Sequence, residues 1–134
     1  MKKARKAVAI ALAIAVVLAA GYFVIPGFTR LSNVYISDFS LSDDGKEMTI
    51  TVGVSTSMGY TRDLSVKKGE NGKMYLDFYS AFGGINGSIG AKRTFNITLD
   101  DDTEIIYIRN GSEYRTAMVK DEKGNWGLSL IYML

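Results

Sequence analysis

Glu47-Met-Thr-Ile-Thr-Val-Gly-Val54 puts Met48, Ile50, Val52 and Val54 on one side of an extended chain and Glu47, Thr49 and Thr51 on the other. Successive side chains of a strand point to opposite faces, so this alternation reads as an antiparallel strand with one face in a core and one in water. The same period of two recurs at Leu64 and Val66, at Met74, Leu76 and Phe78, at Phe95, Ile97 and Leu99, and at Trp126, Leu128, Leu130 and Tyr132. Ile105-Ile-Tyr-Ile108 is apolar on both faces and predicts a strand at the centre of a sheet. Val34 and Ile36 share a parity that Phe39 and Leu41 break, which predicts a bulge near Ser37-Asp38.

Between these runs stand Asp44-Gly45, Asn71-Gly72, Asn110-Gly111 and Lys123-Gly-Asn125, residues that tolerate the positive φ of tight hairpin turns. The spacing predicts an all-β domain over residues 33–134: an immunoglobulin-like antiparallel β-sandwich of about 7–8 strands, with a small barrel as the alternative. The chain has no cysteine, so "immunoglobulin-like" refers to strand layout and not to a disulfide-stapled core.

Ahead of this domain the sequence changes character. Residues 7–25 read AVAIALAIAVVLAAGYFVI without a charge, and about 19 residues at about 1.5 Å each nearly match a hydrocarbon core of about 30 Å. Lys2, Lys3, Arg5 and Lys6 precede the run and only Arg30 follows closely, so the positive-inside rule orients residues 1–6 to the cytoplasm and the domain outside. Pro26-Gly27 ends the helix, and residues 26–32 read as a linker. The alternative is a cleaved secretory signal. Leu18-Ala-Ala20 is a poor cleavage site, and the run stays apolar through Tyr22 to Ile25 where a signal should turn polar. Ala7, Ala11, Ala15 and Ala19 recur every four residues, a spacing that lets membrane helices approach, but no Gly or hydroxyl reinforces that face.

Composition narrows the chemistry. With no His and no Cys, thiol nucleophiles, imidazole bases and Cys/His zinc sites are excluded. Four of the 16 basic residues precede the apolar run, so the domain itself is mildly acidic against its 14 carboxylates. It has no basic surplus for the phosphate contacts of nucleic-acid binding.

Phe82-Gly-Gly-Ile-Asn-Gly-Ser-Ile-Gly-Ala-Lys-Arg-Thr94 invites a phosphate-loop reading and fails it. Gly84 and Gly90 are wrongly spaced from Lys92, Arg93 stands where a magnesium-binding hydroxyl belongs, and strands rather than a helix flank the loop. No nucleotide and no other cofactor is expected. The stretch reads instead as a crossover between two sheets, with Ile85 and Ile89 tucked inward. Tyr60, Tyr75, Tyr79, Phe82, Asn86 and Lys92 form the candidate interaction surface around it, the aromatic members suiting a protein or polymer partner.

Gly59-Tyr60, Met74-Tyr-Leu-Asp-Phe-Tyr79, Phe82-Gly83, Asn86, Ile89-Gly-Ala-Lys92, Phe95, Ile97-Thr-Leu-Asp100 and Glu104-Ile-Ile-Tyr107 together cover about half the chain. On these residues the sequence resembles uncharacterised extracytoplasmic β-domains of Gram-positive, clostridia-like bacteria, found behind a membrane anchor or at the end of larger membrane proteins. The resemblance implies a tethered, envelope-facing module and supplies no catalytic residues.

Two further chemistries are open to the residue types present. Asp100-Asp-Asp-Thr-Glu104 offers carboxylates to calcium but lacks the glycine of an EF-hand loop and reads as a solvated turn. Ser88 and Lys92 are the one local Ser-Lys pair for an envelope hydrolase, which would need the lysine desolvated and within reach of the hydroxyl. The expectation is a non-enzymatic module whose partner is an envelope protein or, alternatively, a cell-wall carbohydrate.

Overall fold

The computed structural model describes residues 2–55, 59–83 and 87–129. Helix α1 (Lys2–Val24) runs into a 3-10 turn at Ile25–Phe28 and then into strand β1 (Arg30–Leu31). Strands β2 (Val34–Leu41), β3 (Glu47–Val54), β4 (Thr61–Lys68) and β5 (Lys73–Ser80) follow. Then come β6 (Thr94–Thr98), β7 (Ile105–Asn110), β8 (Glu113–Lys120) and β9 (Trp126–Leu128). They form two sheets, one ordered β2-β3-β6 and the other running β5-β7-β8-β9, with β4 along one edge of β5. The two residues of β1 take up what β7 leaves free of the other edge of β5, pairing Arg30 with Tyr79 and Leu31 with Phe78.

The inner faces are the ones the alternation marks. Met48, Ile50 and Val52 from β3, Met74, Leu76 and Phe78 from β5, and Phe95 and Ile97 from β6 are buried together with Ile106 and Ile108 from β7. Phe78 and Phe95 meet edge-on across the sheets with centroids 5.5 Å apart, a geometry that adds about 0.5–1.5 kcal/mol beyond the area buried. The bulge in β2 falls between Ile36 and Asp38. The turn residues adopt the left-handed backbone, Asn71 and Gly72 at φ 58° and 75° between β4 and β5, and Gly111 at φ 67° between β7 and β8.

The fold departs from expectation in four places. First, β5 and β7 run parallel. The chain leaves β5 for the other sheet, descends through β6 and returns in β7, and two reversals restore the original direction; the arrangement is therefore not purely antiparallel. Second, residues 26–32, read as a linker, carry structure of their own, most of the 3-10 turn and all of β1. Third, Ile89 does not tuck inward but is 59% exposed, because its backbone is held at the rim by N–H and C=O bonds to Phe82, both 3.0 Å. Ile85 lies outside the described residues, as do Leu130 and Tyr132. Fourth, Val66 is exposed on β4, an edge strand that pairs with β5 alone among the described strands.

The two ends of the sandwich differ. Thr61, Ser80 and Thr94 mark the end that meets α1. The turns at residues 42–46, 69–72, 100–104 and 121–125 mark the far end.

Candidate interaction surfaces

Helix α1 presents 23 residues with none buried, so nothing in the described domain covers its apolar surface. It is nevertheless joined tightly to the sandwich. The last carbonyls of a helix lack intrahelical partners, and here the Phe23 C=O accepts from Gly83 N–H at 2.8 Å while Pro26 C=O accepts from Thr29 N–H at 3.0 Å. Arg62 reaches across from β4 and donates through Nη2 to the Gly27 carbonyl at 2.7 Å. Its guanidinium also lies 4.3 Å from the centroid of the Phe82 ring. Gly27 is buried, and a Cβ built there would fall inside that ring. Phe28 closes the joint edge-on to Phe82 at 6.1 Å. Phe82, half-buried, is thus the hub of the helix–domain joint.

The outer face of the larger sheet holds a second cluster. Asp77 sits on β5 and Arg109 on β7, pointing to the same outward side, and Arg109 Nε donates to Asp77 Oδ1 at 2.6 Å. The side chains are only 12% and 20% exposed. The Tyr114 hydroxyl lies 3.0 Å from Asp77 Oδ2, to which it donates, and accepts from Arg109 Nη2 at 3.1 Å. The hydrogen bond that Arg109 donates to Asp77 raises the Arg109 pKa above its already high ordinary value, opposed by desolvation. Beside this network Tyr75 and Tyr107, register partners across β5 and β7, stack with centroids 5.2 Å apart and planes at 15°. Tyr114 packs edge-on to Tyr75 at 4.9 Å. Tyr75 therefore packs against both tyrosines and remains half-buried.

The remaining described residues of the expected surface lie toward the end that meets α1. Tyr79 pairs with Arg30 and Asp63 near the joint. Tyr60, 47% exposed, lines a cleft of about 220 Å³ with Tyr35, Gly53 and Arg93. Glycine is required at the floor of that cleft, since a Cβ on Gly53 would stand 2.7 Å from the Tyr35 hydroxyl. Lys92 is exposed, anchored by its N–H to the Thr61 carbonyl at 2.8 Å, with its ammonium 5.2 Å from the Phe95 centroid. Asn86 lies outside the described residues. Of the five described residues, Tyr60, Tyr79, Phe82 and Lys92 lie at the end that meets α1, Tyr60 and Lys92 through backbone bonds at Ala81 and Thr61, while Tyr75 lies apart on the outer face of β5. Sequence reasoning missed Asp77, Arg109 and Tyr114. The available signal was a carboxylate and an arginine, each within an otherwise apolar central strand.

A larger cleft, about 580 Å³, opens between β2 and the β7-β8-β9 edge, with Ser32, Asn33, Asn110 and Arg115 at its mouth and Ile108 and Leu128 at its floor. Ser88 and Lys92 are both exposed, so the lysine lacks the desolvation that would activate a hydroxyl. In the acidic run, the Asp100 carboxylate is engaged by Lys68 Nζ at 2.8 Å. No three acidic side chains converge into a metal-binding group among the described residues.

An apolar helix long enough to cross a membrane, joined without a spacer to a two-sheet β-domain, defines the class of architecture. Comparison with family models, with curated proteins and with solved structures found no match for this chain.

Proposed function

We propose that the protein is a single-pass, membrane-tethered, non-catalytic binding module whose sandwich works outside the cytoplasmic membrane. The observation that carries this reading is the uncovered apolar surface of α1, 23 residues long with none buried, ending in a hydrogen-bonded joint with the domain. Lys2, Lys3, Arg5 and Lys6 at the start of the helix support an inward N-terminus. The lack of His and Cys, and the solvation of Ser88 and Lys92, favour binding over hydrolysis. The layout is read as immunoglobulin-like with one parallel pair, in keeping with the resemblance to envelope-facing β-domains of clostridia-like bacteria. The partner is an envelope protein, or alternatively a cell-wall carbohydrate that uses the cleft beside Tyr35 and Tyr60.

The test is photocrosslinking of the intact protein in its native membrane from positions 35, 60 and 107. A discrete protein or polymer adduct from at least one position is the expected result. Absence of an adduct at all three, with the protein present and folded, contradicts the binding role.

A further inference from the structure

The joint between Phe23 and Gly83 fixes how far the domain stands from the membrane. Phe23 lies two residues before the end of the apolar run at Ile25, a distance of about 3 Å along a helix at about 1.5 Å per residue. Gly83 is hydrogen-bonded to it at 2.8 Å. If α1 spans the bilayer, the loop carrying Gly83 is therefore level with the lipid headgroups, with no spacer to lift it away.

What the sandwich shows at that end fits a lipid surface. Phe28 is 69% exposed and Ile89 is 59% exposed, beside Tyr22 and Phe23, which are 52% and 48% exposed at the helix end where aromatic belts lie. Around them stand Arg30, Arg62, Lys92 and Arg93, against Asp63 and, on the β7–β8 turn at the same end, Glu113. The far end is opposite in sign: its turns carry Asp43, Asp44, Asp100, Asp101, Asp102 and Glu122, only partly offset by lysines. A domain so polarised turns its basic end toward negative charge. Headgroup charge acts within about 8 Å at physiological salt, a range that the direct joint satisfies and a flexible linker would not.

We propose that the helix-proximal end of the sandwich is a membrane-docking surface. Phe28 and Ile89 insert at the headgroup boundary, and Arg30, Lys92 and their neighbours sit on anionic lipid phosphates. This rests on the reading of α1 as a membrane span. Docking fixes the tilt of the domain and points the far end, with its acidic turns, away from the bilayer.

The full-length protein supplies its own control, because Trp126 is its single tryptophan and pairs with Lys120 at the far end. It is reconstituted into vesicles of phosphatidylcholine with phosphatidylglycerol and probed with brominated lipids. The probes are wild-type Trp126 and an Ile89→Trp variant in a Trp126→Phe background. Ile89→Trp should be quenched severalfold more than Trp126. That difference should fall in pure phosphatidylcholine, and also when Arg30→Glu and Lys92→Glu are added. Equal quenching at the two sites in protein that floats with the vesicles overturns the docking while leaving the tether intact. Failure to float with the vesicles overturns the tether itself. Quenching at position 89 that is indifferent to lipid charge and to both Glu substitutions overturns the electrostatic component.

Discussion

Gly83 N–H donates to the Phe23 carbonyl at 2.8 Å, tying the crossover between the two sheets to the last turn of the apolar helix. A single backbone bond of this kind is modest, about 0.5–1.5 kcal/mol net. It is reinforced by Arg62 on the Gly27 carbonyl and by Phe82 against the Gly27 backbone. The domain is thereby held at the helix instead of swinging on residues 26–32.

That joint predicts a local exchange signature. Arg62→Ala removes the 2.7 Å bond to Gly27 and the cation over Phe82. In hydrogen exchange of the detergent-solubilised protein, the amides of Ser80 and Gly83, bonded to Thr29 and Phe23, should exchange faster. Met74 and Leu76 in the core should keep their protection. Uniform acceleration across β5 would show that Arg62 supports the whole sandwich.

Core substitution should be costly in the ordinary way. Phe78 is 1% exposed and bridges the sheets to Phe95, so Phe78→Ala should destabilise by about 3–5 kcal/mol in urea unfolding. Ser65→Ala, exposed on the edge strand β4, should stay within about 0.5 kcal/mol.

The Asp77–Arg109 pair should show strong coupling. Asp77→Ala leaves a largely enclosed guanidinium without its carboxylate and frees the Tyr114 hydroxyl, so the thermal midpoint should fall. Asp77→Leu with Arg109→Met should fall less than the sum of the single changes, since removing both charges leaves neither stranded. Strict additivity would mean that the pair is solvated and energetically idle.

Asp44 supplies a pH dependence. Its Oδ1 accepts from Ser42 Oγ at 2.6 Å and from Lys46 N–H at 3.0 Å, holding the β2–β3 turn. These bonds, that of Ser42 first, lower its pKa below the ordinary 3.8. A depressed pKa in the folded state favours folding above the unfolded-state value, and that contribution is lost as pH falls through the folded one. A carboxyl titration by NMR should place Asp44 below the aspartates of ordinary turns, and Asp44→Asn should remove its share of the acid sensitivity.

Most of the fold was legible because burial in strands writes itself as alternation. Met48, Ile50 and Val52, or Met74, Leu76 and Phe78, are inward as their parity requires. The bulge at Ser37 was readable for the same reason, since an extra residue flips the parity. Strand β8 was harder. Ala117 and Met118 are adjacent and both buried because the pairing with β7 skips Ala117 at a bulge, which erases the period. The joint was not legible at all, since Gly27, Arg62 and Phe82 are far apart in sequence and only the fold brings them together. The stacking of Tyr75 on Tyr107 was not legible either, since two register-matched tyrosines on a parallel pair meet through a pairing no local pattern specifies.

The chain contains no cysteine, which allows the most direct test of a tethered, outward-facing domain. Single cysteines at Lys3 and at Ser112 are labelled with a membrane-impermeant maleimide in intact cells and again after permeabilisation. Ser112→Cys should label in intact cells, whereas Lys3→Cys should label only once the membrane is opened. Labelling of Lys3→Cys but not Ser112→Cys in intact cells, or release of a labelled domain lacking its N-terminal helix, would contradict the membrane-tethered arrangement.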